Sequence, residues 1–261
     1  MKNYRMLFLD IDGTILRHDD TIEESTKEAI FIMKEKGIRS VLATGRPIHE
    51  IKEIGEELGI SSYIGYNGAL GIDEGTRVFA SPMNEETVKE LIAIIEERHN
   101  EAVLYTEDKN LFTDRESTLS KQFAQKFHLK KNKNLSLNDY SSILGMTIIT
   151  TNGNGSQSFG KEGDLYFSQV NVEDMNHCYD VIRKNINKGT GIKCLIDRLG
   201  IDQSETIAFG DGMNDKEMLS FAGIGIAMGN SSPDLFKYAD RRTTAVTDSG
   251  IYNGLKSLGL I

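Results

Sequence analysis

Three short segments of this chain are apolar without alternation, and each breaks off at a small or polar residue. They read Met6-Leu7-Phe8-Leu9-Asp10, Ser40-Val41-Leu42-Ala43-Thr44-Gly45 and Thr206-Ile207-Ala208-Phe209-Gly210-Asp211. A strand with one wet face alternates, whereas a strand covered on both faces does not. The pattern therefore calls for buried parallel strands, which need long crossovers between them. Helical spacing supplies these: Ile22–Lys36, through Ile22, Ala29, Ile30 and Met33 before Gly37, and Gly191–Leu199, through Ile192, Leu195, Ile196 and Leu199 before Gly200. A fourth strand is expected over 223–228, followed by a Gly-Asn-Ser-Ser-Pro loop. The fold class is α/β, an open Rossmann-like parallel sheet wound in right-handed crossovers.

The middle of the chain breaks this rhythm. An Asn67-Gly68 turn signal and a returning strand at Arg77-Val78-Phe79 precede Pro82. Glu85–His99 is amphipathic through Val88, Leu91, Ile92 and Ile95. Strand-like segments follow at 102–105, 146–150 and 165–167, with a helix at 117–127 and a Gly/Asn/Ser-rich hairpin loop at 152–163. We expect an inserted α+β domain over 82–187 inside a discontinuous core of 1–81 and 188–261. At 261 residues the chain suits two such domains.

Ligands of open parallel sheets bind beyond the carboxyl ends of the strands. There the three runs present Asp10 and Asp12, then Thr44, Gly45 and Arg46, then Asp211, Asn214 and Asp215. Asp10 and Asp12 point the same way about 6.6 Å apart on an extended strand. At that distance two carboxylates repel by about 2–3 kcal/mol at an effective dielectric near 20. Asp211 adds to the repulsion, and Mg²⁺, a hard cation that keeps several waters, relieves it. Net charge is −9, from 30 basic and 39 acidic residues. Such a chain repels nucleic acid and anionic membranes, so an anionic ligand needs local donors or a cation. The turn at Gly13-Thr14, the Thr44-Gly45 helix start and Lys188 are such donors for a phosphate.

Taken singly these features are ordinary. Asp12-Gly13 is a turn dipeptide, Thr44-Gly45 a helix cap, 211–215 a turn or a fragment of a calcium loop, and Lys188 a surface lysine. Their order, three at strand ends, is what the separate readings leave unexplained. The basic run 128–133 lacks interleaved aromatics and reads as a solvated face. Cys178 and Cys194 match no metal spacing and read as buried small residues in a reducing compartment. The apolar run at 6–9 is too short for a secretory leader, and no stretch reaches the length of a membrane helix. We expect a cytoplasmic protein, a monomer or weak homodimer, with no nucleic-acid or membrane partner.

These segments resemble the motifs of the haloacid dehalogenase superfamily. Asp10-Ile11-Asp12-Gly13-Thr14 matches the first, Thr44-Gly45-Arg46 the second, Lys188-Gly189 the third and Gly210-Asp211-Gly212-Met213-Asn214-Asp215 the fourth. The insertion between the second and third resembles the type-two cap of the Cof-like subfamily. Asn67-Gly68-Ala69 and 225–230 also resemble stretches of that subfamily. The resemblance implies a Mg²⁺-dependent phosphomonoesterase for small phosphorylated metabolites, sugar phosphates or similar. It implies Asp10 as the nucleophile that forms an aspartyl-phosphate and Asp12 as general acid and base. Mg²⁺ would be held by Asp10, the Asp12 carbonyl and Asp211, with Asp215 and Arg46 in supporting positions. Ile11, Thr44, Gly45, Lys188 and Asn214 would hold the phosphoryl oxygens. The alternatives are a phosphohexose mutase on the same scaffold and a non-catalytic phosphate-sensing binding protein.

Overall fold

The computed structural model describes residues 3–151, 163–170, 172 and 174–261. The chain begins with β1 (Met6–Leu9), α1 (Glu24–Glu35), β2 (Arg39–Ala43), α2 (Lys52–Leu58), β3 (Tyr63–Gly65), β4 (Leu70–Asp73) and β5 (Thr76–Ala80). Next come α3 (Glu85–Glu97), β6 (Glu101–Tyr105), β7 (Asn110–Phe112), α4 (Thr118–Lys126), β8 (Asn132–Asn134), β9 (Gly145–Ile149), β10 (Leu165–Gln169) and β11 (Cys178–Arg183). It ends with α5 (Lys188–Leu199), β12 (Thr206–Gly210), α6 (Lys216–Phe221), β13 (Ile224–Ala227), β14 (Arg241–Arg242) and α7 (Gly250–Ser257). Two compact units result. One holds Met1–Arg46, Ile51–Phe79 and Asn187–Ile261, the other Pro47–Glu50 and Ala80–Ile186.

The first unit is a sheet in the order β14-β13-β12-β1-β2-β3-β4-β5. Pairing is parallel from β14 through β3 and antiparallel between β3 and β4. All of β1 is buried, as its unbroken apolar run requires. Met6, Phe8, Val41, Ala43 and Ala208 pack on one face with Ile192 and Leu195 of α5 and Met218 and Leu219 of α6. On α1, Ala29, Ile30 and Met33 are buried, and this helix packs on α7. Leu9 pairs with both Leu42 and Phe209, so the three strands end level. The chain runs from β1 toward β2 in one direction and from β12 toward β13 in the other. That reversal opens a crevice beside Asp10.

The Asn67-Gly68 signal does join an antiparallel pair, β3 and β4, through one tight turn. Tyr66 and Asn67 are both left-handed (φ 55° and 52°), and Gly68 has φ 103°. A Cβ on Gly68 would lie 2.1 Å from the Asn187 carbonyl, so this turn reaches the start of α5 only with glycine. A second reversal, Glu74-Gly75 (φ 47° and 79°), joins β4 to β5.

The second unit has the strand order β10-β11-β9-β6-β7-β8. Its pairs are antiparallel except β7 with β8. Val88, Leu91, Ile92 and Ile95 of α3 pack on Ala102, Leu104, Met146 and Ile148. Phe123 of α4 joins Val103, Phe112, Ile149 and Cys178, the alternate residues of the same strands. Asn84 and Ser117 cap the two helices, accepting from Thr87 N (3.2 Å) and Ser120 N (3.0 Å).

Several details depart from expectation. Strands β7 and β8 have three residues each, too few to show a period, and β8 takes Lys133 from the basic run. The expected loop at 152–163 falls, but for Gly163, outside the described residues. Cys178 is buried, and burial together with the Asp180 charge pushes its thiol up to about 12. Cys194 is exposed on α5, not buried, because it lies on the face away from Ile192, Leu195 and Ile196. Among the described residues no helix is long and apolar enough to cross a membrane.

Candidate active site

Asp10 directly follows β1 and is 5% exposed, with its amide donating to the Phe209 carbonyl (3.0 Å). Tight bonds from the 14, 15 and 16 amides to the Ile11 carbonyl turn the chain sharply after it. Gly13 (φ 81°) lies at this turn, where a Cβ would stand 2.2 Å from Asp211 Oδ2. Glycine is therefore demanded both by backbone conformation and by the carboxylate beside it. Ile11 is buried, while Asp12 is exposed beyond it.

Helix α5 delivers the cation. Asn187 accepts from Thr190 N (2.9 Å) while its own amide donates to Thr190 Oγ1 (3.0 Å), which starts the helix at Lys188. The sequence reading begins this helix at Gly191; the cap brings Lys188 into the first turn. Lys188 is fully buried, and its ammonium donates to Asp10 Oδ1 and to Asp215 Oδ1, the latter at 2.6 Å. Burial opposes its charge, but Asp10 and Asp215 outweigh that and raise its pKa. Asp215, also fully buried, accepts from the 211 and 212 amides through Oδ2 (3.0 and 2.9 Å).

Asp211 accepts from Thr14 Oγ1 (3.1 Å) and from Asn230 Nδ2 (3.2 Å), which also donates to the Gly13 carbonyl (2.9 Å). The sequence offers the Gly13-Thr14 turn to a phosphate but gives no role to the Thr14 hydroxyl or to Asn230, although both lie in segments that carry the resemblance. Burial, then the Asp215 charge, raises Asp211 to about 6. The same two causes raise Asp10 well above the usual carboxylate range, against the pull of Lys188.

Thr44 is 1% exposed at the end of β2, and its Oγ1 accepts from the Arg46 amide (3.1 Å). Gly45 is exposed, with the Asn67 side-chain amide about 3.1 Å from where a Cβ would sit. The Arg46 guanidinium forms a two-pronged pair with Asp12, through Nε to Oδ2 (2.9 Å) and Nη2 to Oδ1. Asn214 is exposed and its Oδ1 hangs over Gly212.

Carboxylate oxygens of Asp10, Asp211 and Asp215 all lie within 4.8 Å of one another. One ammonium cannot neutralise three carboxylates, and the raised pKa values of Asp10 and Asp211 record their burial and that deficit. An all-oxygen donor set with surplus negative charge fits a hard divalent cation. At this rim, where parallel strands end, a buried carboxylate, Asp10, is followed two residues on by an exposed one, Asp12.

A sequence model of haloacid dehalogenase-like hydrolases matches residues 7–255. YkrA of Bacillus subtilis is 32% identical over 259 residues, covering 98% of each chain. The HMP-PP phosphatase of Yersinia pestis is 30% identical over 247 residues, 89% of this chain and 86% of that one. Among solved structures, the subclass IIB sugar phosphatase BT4131 superposes with a TM-score of 0.82 at 29% identity, covering 98% of this chain and all of its own.

Proposed function

Since the chain belongs to the haloacid dehalogenase-like hydrolases and is a phosphatase, we propose that it is a Mg²⁺-dependent phosphomonoesterase for small phosphorylated metabolites, a sugar phosphate or similar. Asp10 is the nucleophile. In line with the ester, its carboxylate oxygen takes the phosphoryl group and gives an aspartyl-phosphate, which divides one difficult hydrolysis into two steps. Asp12 gives a proton to the departing alkoxide and afterwards takes one from the attacking water. The Arg46 pair holds Asp12 in place until substrate arrives.

The Thr44 hydroxyl, the Ile11 and Gly45 amides, the Lys188 ammonium and the Asn214 amide cradle the phosphoryl oxygens. Fixed donors of this kind act most strongly on the charge spread over those oxygens at the transition state. Asp10, the Asp12 carbonyl and Asp211 would hold Mg²⁺, with Asp215 orienting the 211–212 backbone beside them. When bound, Mg²⁺ would supply positive charge to an otherwise acidic cluster. Substrate selection falls to the inserted segment 82–187, which acts as the cap.

The observation that carries this reading is Asp10: a buried carboxylate at the end of a central parallel strand, touching the only ammonium among the buried side chains of the described residues. The test is phosphate release from p-nitrophenyl phosphate with and without Mg²⁺, wild type beside Asp10→Asn. Loss of about 10³-fold or more in kcat is expected from the substitution, and loss of turnover on adding EDTA. Turnover that survives either change sinks the mechanism. Interconversion of hexose monophosphates without free phosphate would favour a mutase instead.

A further inference from the structure

Asn230 lies on the surface, yet both protons of its side-chain amide are committed. Nδ2 donates to the Gly13 carbonyl (2.9 Å) and to Asp211 Oδ2 (3.2 Å), while Oδ1 accepts from the Val246 amide (2.9 Å). A backbone amide only donates and a carbonyl only accepts, so these partners fix which way the side-chain amide faces. The backbone that carries it is held as well. The Met228 amide donates to the Gly210 carbonyl (3.0 Å), and the Gly229 amide to the Thr244 carbonyl (2.9 Å). The loop after β13 is thereby tied both to the end of β12 and to the 243–246 segment. From that anchorage Asn230 reaches Gly13 and Asp211, which lie 217 and 19 residues away in the chain.

The two groups it joins have no attraction for each other. A carbonyl and a carboxylate are both acceptors, and the Asn230 amide donates to each. The Thr14 hydroxyl takes the other oxygen of Asp211, at 3.1 Å. Each oxygen of this carboxylate thus has one neutral donor, which orients it without cancelling its charge and leaves a lone pair for a cation. The Asp12 carbonyl is one peptide from the Gly13 carbonyl, on the same turn. We propose that Asn230 is a positioning residue for the cation: it spaces the 12–14 turn from the Asp211 carboxylate, and so sets the size of ion the site accepts. The inference rests on the reading of Asp211 and the Asp12 carbonyl as Mg²⁺ ligands. Mg²⁺ demands near-octahedral oxygens at about 2.1 Å, whereas Ca²⁺ accepts looser sets at about 2.4 Å, so the choice between them depends on how firmly the ligands are spaced.

The test reads ion binding without turnover. Melting temperatures are followed against Mg²⁺, and separately against Ca²⁺, for wild type, Asn230→Ala and Asn230→Asp. Asp211→Asn gives the shift caused by ions bound elsewhere. Asn230→Ala is expected to weaken Mg²⁺ by about tenfold, as loss of a group that orients a ligand does, and Ca²⁺ by less than about threefold. The ratio of the Ca²⁺ to the Mg²⁺ dissociation constant therefore falls by at least about threefold. Asn230→Asp keeps the acceptor for the Val246 amide but lacks both donors. Its added charge strengthens both ions alike and cancels in the ratio, which is expected to fall as in Asn230→Ala. Should Asn230→Ala not fold, Asn230→Asp decides. A smaller fall in the ratio overturns the proposal, even where the melting temperature without ions is lowered, because Asn230 then only anchors its loop. An Asn230→Asp protein with the wild-type ratio overturns it for the same reason. If wild type responds to Mg²⁺ no more than Asp211→Asn does, the metal reading has failed and the proposal with it.

Discussion

Lys188 is the residue on which the local electrostatics turn. Fully buried, it is shared between Asp10 and Asp215, and among the described residues neither carboxylate has another cation among its hydrogen-bond partners. Replacing it by methionine keeps much of the volume and strands two buried charges. Breaking a buried pair in this way costs about 3–5 kcal/mol, which urea denaturation at pH 7 without Mg²⁺ would measure. Release of p-nitrophenol should fall by at least about 10²-fold, since a phosphoryl donor goes with the charge. A variant that unfolds at the wild-type urea concentration would mean that the acids are relieved by something other than Lys188. At this scale the sequence was legible where side-chain type and strand position coincide, as at Asp10, Thr44 and Asp211. It was silent on the Thr14 hydroxyl and on Asn230, because their contacts with Asp211 span 197 and 19 residues and exist only once the strands are paired. The Arg46 grip on Asp12 was silent for the same reason, a contact 34 residues apart.

Among the elements, α5 does most to build the site, and its first turn depends on Asn187. Removing that cap with Asn187→Ala should cost about 1 kcal/mol by thermal melting. Because Lys188 is the next residue, kcat should fall by more than the stability loss alone would give at 25 °C, where the variant stays folded. Asn187→Asp, which caps equally well, should restore both; a restored melting temperature without restored kcat would separate the cap from the chemistry. The long elements were readable because burial leaves its period in them: unbroken apolar residues in β1 and β12, helical spacing in α3 and α5. The apolar period of α5 begins at Gly191, three residues after the helix itself, because the cap lies before it. Short pieces carry no period. Strands β7, β8 and the two-residue β14 are defined by their neighbours and not by their own side chains. The same holds for 47–50, four residues whose allegiance to β7 comes from Asn110.

For the whole molecule, the acidic cluster makes stability depend on pH and on divalent cations together. Asp211 is raised to about 6 and Asp10 well above its ordinary value. Between about pH 4 and pH 6 the folded form therefore holds more protons than the unfolded one, and stability falls as pH rises through that window. A cation that replaces those protons reverses the loss. The melting temperature without divalent ions should accordingly drop between pH 5 and pH 7, and millimolar Mg²⁺ should raise it more at pH 7 than at pH 5. Equal shifts at both values would show that the metal does not engage these acids. The division of the chain also has a practical side. Its two cysteines could hardly differ more, one enclosed with its thiol pushed up to about 12, the other open to solvent on α5. A maleimide dye at neutral pH should attach at Cys194 alone, six residues from Lys188, so the native protein already carries a single address for a fluorophore reporting on the helix that starts at the site.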